Sequence, residues 1–175
     1  MGKCIIFCAA DFDGLIQPIA PDDLVIAADG GLRHTQMLGL TPDVILGDFD
    51  SLGYTPNCAQ VFPVEKDDTD AMLAVRQGLD RSFREFVLYG SLDGPRLDHT
   101  VANFQTLQFL ADRGAKGFLV GLNSIVTVVR NSEITFPATS GAIFPHSAWA
   151  QMPKTSRFKA CTTPWHTEPS PAASP

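Results

Sequence analysis

Asp48 and Asp50 stand two residues apart in GDFDS (Gly47–Ser51), directly after the apolar run Val44–Leu46. In an extended chain, residues two apart point to the same side, so both carboxylates can address one point while Phe49 turns the other way. Two such charges about 4 Å apart repel by roughly 4 kcal/mol at an effective dielectric near 20. A hard divalent cation such as Mg2+ takes oxygen ligands, often one or two carboxylates together with substrate phosphates, and reverses the sign of that energy. The competing reading is an Asp-rich turn whose side chains bond nearby backbone N–H groups, and for an isolated D-x-D it is the commoner one.

A second acidic group, KDDTD, runs from Lys66 to Asp70 and includes Asp67 and Asp68. One carboxylate, or Thr69, can cap a following helix, where negative charge is favoured. Three carboxylates are more than a cap requires, and Lys66 beside them can neutralise the cluster or touch a phosphate. A third group is GSLDGPRLDHTVAN, Gly90 to Asn103. A glycine-containing loop between a strand and a helix can present backbone N–H groups to phosphate. Arg96, His99 and Asn103 are spaced three and four apart, which predicts one helical face, opposite much of the apolar stripe. Arg96 suits a polyphosphate and Asn103 a base or sugar, while His99 can equally be a hydrogen-bonded helix histidine. His34, His146 and His166 have no comparable neighbours and receive no role.

The elements that must position these groups alternate. Lys3–Ala10, Leu24–Gly31, Asp43–Asp48, Val61–Val64, Phe86–Gly90, Gly117–Gly121 and Ser124–Arg130 read as strands, with Pro63 marking an edge or a bend. Apolar residues at Ala71, Met72, Val75 and Leu79 predict a helix within 69–83. Leu97, Val101, Phe104, Leu107 and Ala111 predict another that stops at Gly114. Strands separated by helices imply an α/β fold, a mostly parallel sheet with helices on both faces, which binds ligands beyond the carboxyl ends of its strands. Asp29-Gly30-Gly31 and GDFDS fall at such ends. From Pro137 the chain turns rich in Pro, Ser, Thr and Ala, and residues 138–175 are expected to be weakly ordered.

The net charge of −6 over 175 residues gives no electrostatic case for nucleic acid or an anionic membrane. No apolar run is long enough to span a bilayer, and the first residues do not suit a secretory signal. Cys4 and Cys8 fall on one side of the first strand and read as small core residues. Cys58 and Cys161 complete a set with no zinc spacing, so a reduced, cytoplasmic setting is expected. There is no G-x-x-x-x-G-K-[ST] loop, no protein-kinase signature set and no G-x-S-x-G elbow.

In this order, ADGG, GDFDS, KDDTD and GSLDGPRLDHTVAN resemble the thiamine pyrophosphokinase family over about residues 5–122. The resemblance implies ATP-dependent pyrophosphoryl transfer to thiamine, yielding thiamine diphosphate and AMP, with Mg2+ as cofactor and ATP as co-substrate. It also implies a homodimer in which the α/β domain of one subunit meets a C-terminal β-sandwich of its partner. By position, Asp48, Asp50 and Asp70 correspond to the metal and phosphate-site acids, with Lys66 and Asp67 in the same motif. Arg96, Asp98, His99 and Asn103 match the R-x-D-H-x-x-x-N nucleotide segment, and Asp29 and Gly30 the D-G-G turn. Asp98 and His99 are the candidates to take the hydroxyl proton. The loop departs from the family's at Gly94-Pro95, since proline offers no N–H. The implied organisation is a catalytic domain over 1–123 and, over 124–175, an atypical or truncated remnant of the β-sandwich. A pterin pyrophosphokinase, an Mg2+-dependent phosphohydrolase and a catalytically impaired nucleotide-binding fragment are the alternative functions.

Overall fold

A computed structural model describes residues 2–49, 53–56, 59–61 and 68–130. Four short apolar runs form the centre of the sheet. They are β1 (Cys4–Phe7), β2 (Leu24–Ala28), β3 (Val44–Gly47) and β5 (Glu85–Tyr89). Nearly all their residues are buried, as expected of parallel strands covered on both faces. β4 (Gln60–Val61) and β6 (Lys116–Val120) extend the sheet on either side, and β7 (Ile125–Thr127) ends it. The order is β4-β3-β2-β1-β5-β6-β7, all parallel except the β6–β7 pair.

The chain builds outward from β1 to β4, then returns to lay β5 on the other side of β1. That reversal makes the C-terminal ends of β1 and β5 the topological switch point, where an open α/β sheet offers its crevice. The returning crossover is α2 (Asp70–Asp80), and α3 (Leu97–Asp112) joins β5 to β6. Both pack on one face, over Cys4, Ile6, Cys8, Leu24, Ile26, Leu46, Phe86 and Leu88. The alternate residues Ile5, Phe7, Val25, Val87 and Tyr89 form the opposite face. There α1 (Leu32–Met37) and the long β1–β2 connection lie, the latter laying Phe12, Leu15 and Ile19 on the sheet. The backbone N–H of Ile16 donates to the Tyr89 hydroxyl at 3.1 Å, which pins that connection down.

The expected strands and helices are present with trimmed ends. β4 has only two residues, and the rest of the expected Val61–Val64 strand lies outside the described residues. So does the expected weakly ordered segment 138–175. The expected face of α3 needs correction. Leu97 is 74% exposed and Val101 41%, while Asn103, Thr106, Leu107 and Leu110 are buried. Asn103 therefore lies on the core-facing side, not opposite it. A polar pair can occupy that face because each is satisfied: Asn103 Nδ2 donates to the Ser91 carbonyl at 2.7 Å, and Thr106 Oγ1 to that of Ala102 at 3.0 Å.

Candidate functional site

Asp29 follows β2 directly, in a 3-10 turn, Asp29–Gly31, that leads into α1. Asp48 follows β3. Because β2 and β3 are adjacent and in register through Ala28 and Leu46, these two carboxylates leave the sheet side by side. Their approach is close. A Cβ on Gly47 would lie 3.0 Å from both Cα and Cβ of Asp29, and Gly47 has φ +149°. Asp29 (φ 46°) and Phe49 (φ 59°) both hold left-handed backbone conformations, uncommon for residues with side chains. Phe49 is buried at 3% exposure, so the turn carrying Asp48 is anchored in the core beneath it.

The third member arrives on α2. Within KDDTD the described residues divide their work. Asp68 pairs with Arg76, Nε to Oδ2 at 2.7 Å. The Thr69 hydroxyl caps the helix, accepting from the Met72 N–H at 3.2 Å. Asp70, the first helical residue, then joins the cluster: Asp29, Asp48 and Asp70 each offer a carboxylate oxygen within 4.8 Å of the other two. At an effective dielectric near 20, each pair of such charges repels by on the order of 3 kcal/mol. Beside them lies Cys8, just past β1, whose burial pushes its thiol up to about 12, reinforced by the negative charge of Asp70. A protonated thiol leaves an all-oxygen donor set, which fits a hard divalent cation rather than a thiolate-seeking one.

Across the switch point, the loop after β5 is tightly tied. Gly90 (φ 64°) sits so close to the β1–β2 connection that a Cβ would meet the Ala10 carbonyl oxygen at 2.2 Å. Its N–H donates to Val120 and its carbonyl accepts from Ala10, both at 3.0 Å. Asn103 holds Ser91, and Asp93 Oδ2 accepts from the Leu122 N–H at 2.9 Å. Arg96, Asp98 and His99 are exposed at the start of α3. Arg96 Nη2 donates to Asp98 Oδ2 at 2.6 Å, and this hydrogen bond is the main reason the Asp98 carboxyl is held below its ordinary value. A weakened base results. The side chain of Arg96, which precedes α3, does not cap the helix, while Asp98 in the first turn accepts from the backbone of His99.

The structure thus brings together Asp48 and Asp70 of the expected acids, with Asp29 as a full member. The resemblance matches Asp29 only to the D-G-G turn, among the cofactor-binding positions and not the metal-site acids; the lateral neighbourhood of β2 and β3, which single-strand patterns do not reveal, adds it to the cluster. Gly30 is buried in that turn. Asp98 lies outside the carboxylate cluster. Asp50, Lys66 and Asp67 lie outside the described residues.

An open, mostly parallel α/β sheet with an acidic, cation-suited cluster past its C-terminal edge defines the class: a ligand-binding α/β protein of the doubly wound kind. The family follows from comparison. The chain belongs to the thiamin pyrophosphokinase family, whose catalytic-domain profile matches residues 17–119. Among solved structures it is similar to the probable thiamine pyrophosphokinase of Staphylococcus saprophyticus, at 25% identity and TM-score 0.53 over 69% of this chain and 65% of that one. A thiamin pyrophosphokinase family protein from Enterococcus faecalis aligns at 26% identity and TM-score 0.55, over 67% and 61%. The thiamin pyrophosphokinase of Geobacillus thermodenitrificans aligns at 26% and 0.52, over 69% and 59%. The matched part is therefore less than two thirds of each relative's length. Comparison with curated protein sequences found no match.

Proposed function

We propose that this chain transfers the pyrophosphoryl group of ATP to the hydroxyl of thiamine in an Mg2+-dependent reaction, releasing AMP. The observation that carries the reading is the convergence of Asp29, Asp48 and Asp70 within 4.8 Å, at the ligand-binding edge of a member of this family. These three, with Asp50 by sequence position, would hold Mg2+. The bound ion would neutralise charge on the phosphoryl oxygens and help align them.

The chain's own residues supply the rest. The first turn of α3, which the Arg96 side chain does not cap, offers N–H groups and the positive end of its dipole to phosphate oxygens. The loop from Gly90 to Asp93 is held by hydrogen bonds before any ligand arrives, so little ordering entropy remains to be lost on binding. By sequence position, Arg96 and Lys66 would serve the polyphosphate, with Asp67 in the same motif as Lys66. Asn103 acts by fixing the loop through Ser91. Its pairing with Arg96 makes Asp98 a poor acceptor for the hydroxyl proton, which favours His99 for that step. We place the reaction in the reducing cytosol, consistent with the free thiols of Cys4 and Cys8. No helix among the described residues is long and apolar enough to cross a membrane. A homodimer is part of the same reading.

The test is product analysis with ATP, Mg2+ and thiamine. AMP and thiamine diphosphate should appear in equal amounts and vanish with EDTA. Phosphate release independent of thiamine would replace this reading with phosphohydrolysis, and AMP formation only with a hydroxymethyl-pterin would change the acceptor.

A further inference from the structure

The second halves of α2 and α3 leave a cleft of about 320 Å3, lined by Arg76, Leu79, Asp80, Arg84, Phe109 and Arg113. Asp70 opens α2 and Asp80 closes it. At 1.5 Å per residue the cleft lies on the order of 10–15 Å down the helix from the acidic cluster. It is a separate place in the fold.

Three guanidinium groups face one carboxylate there, in a chain of net charge −6. Arg113 stacks 3.4 Å from the centroid of the Phe109 ring and Arg76 lies 4.7 Å from it. Both cations thus share one ring, well within a screening length of about 8 Å. Three of the described arginines have a carboxylate: Arg76 has Asp68, Arg96 has Asp98 and Arg130 has Asp112. Arg84 and Arg113 are different. Each donates one N–H to a backbone carbonyl, Phe83 at 2.8 Å and Phe109 at 3.2 Å, and neither takes a carboxylate among the described residues. A guanidinium has five N–H donors, so most of theirs remain for a ligand. Helix C-termini attract cations, which accounts for Arg113 at the end of α3. That does not account for Arg84, which stands on the approach to β5.

We propose that this cleft binds a small phosphate-bearing anion through Arg84 and Arg113, with Arg76 at its rim. Forked guanidinium donors match phosphate oxygens. Two cations lacking a carboxylate favour a ligand near two negative charges, as a phosphate monoester carries at neutral pH. The volume is at the small end of ligand sites, suited to a small molecule and too small for a folded segment of another chain.

The experiment is calorimetric titration of the full chain with inorganic phosphate and with AMP, in EDTA. Without a divalent cation the acidic cluster repels both anions. Binding with Kd below about 1 mM is expected, weakened about tenfold or more by the Arg84→Gln/Arg113→Gln pair and largely kept by Arg84→Lys/Arg113→Lys. Tighter binding of AMP identifies an organic phosphate as the ligand, and equal binding the free anion. If the double Gln variant melts early, exposed Arg84→Gln alone carries the test. The proposal is overturned if neither anion binds or if Kd ignores the arginine variants. It is equally overturned if binding instead tightens with Asp48→Asn, which places the anion at the acidic cluster.

Discussion

Asp48 shares its space with two other carboxylates, so its charge works against the empty fold and for the bound cation. Asp48→Asn should therefore leave circular dichroism unchanged and the melting temperature equal or higher. Under the proposed mechanism it should lower AMP release by about a hundredfold or more, the scale of losing a charge-stabilising group. A variant within twofold of the parent rate would remove Asp48 from the metal site. The buried thiols make a second case. Burial raises Cys4 and Cys8 from 9.0 to about 12, with Asp70 adding to the effect at Cys8. Both should resist thiol reagents at pH 8 in the native chain and react fully in urea, as read by peptide mass spectrometry. Their folded values lie above the unfolded one, so the unfolded chain releases these protons first as pH climbs. Their contribution to stability is thus present below pH 9.0 and lost as pH rises toward about 12. Unfolding curves that do not move to lower denaturant across that window would show that the thiols are not buried as described.

At the level of elements, the site depends on how closely strand ends approach one another. Gly90 is the clearest point, because its φ of 64° and the 2.2 Å approach of the Ala10 oxygen both exclude a side chain. Gly90→Ala should cost at least about 2 kcal/mol, from left-handed strain plus a backbone shift. For a chain of this size that lowers the melting temperature by about 4–8 °C. An unchanged melting temperature would mean the β5 loop is not tied to the β1–β2 connection. The strands and both long helices were legible in the sequence because buried parallel strands read as apolar runs and helices as stripes. What periodicity misjudged was the roll of α3. Leu97 and Val101 looked like core, but the inward face was fixed by Asn103 and Thr106, polar residues whose hydrogen bonds make their burial tolerable. The site was half legible. GDFDS and Asp70 announced acids at element ends, whereas membership of Asp29 depends on β2 lying beside β3, a lateral order that no local pattern encodes.

For the whole molecule, the question is which part holds the acceptor. Met1–Arg130 forms a compact unit of its own, and the described core and all three clustered acids fall inside it. The profile match ends at residue 119, and the aligned part spans 59–65% of the three relatives. The composition from Pro137 onward, rich in Pro, Ser, Thr and Ala, has no apolar period from which strands could be read, and residues 131–175 lie outside the described part. Under the proposed function, the Mg2+–ATP side belongs to Met1–Arg130, which holds all three clustered acids, and acceptor binding is proposed to need the residues after Arg130 as well. Cutting the chain after Arg130 should then separate the two. The short form should keep a cooperative melt, since none of its core residues is lost. It should also bind Mn2+, used as a paramagnetic stand-in for Mg2+, within about twofold of the full chain, because the three carboxylates are retained. Thiamine-dependent AMP release should fall by more than about tenfold relative to the 175-residue chain, through loss of acceptor positioning. Transfer at the full rate by the short form would place the whole acceptor pocket within residues 1–130. Loss of Mn2+ binding together with transfer would mean that the acidic cluster itself needs the C-terminal residues to hold its shape.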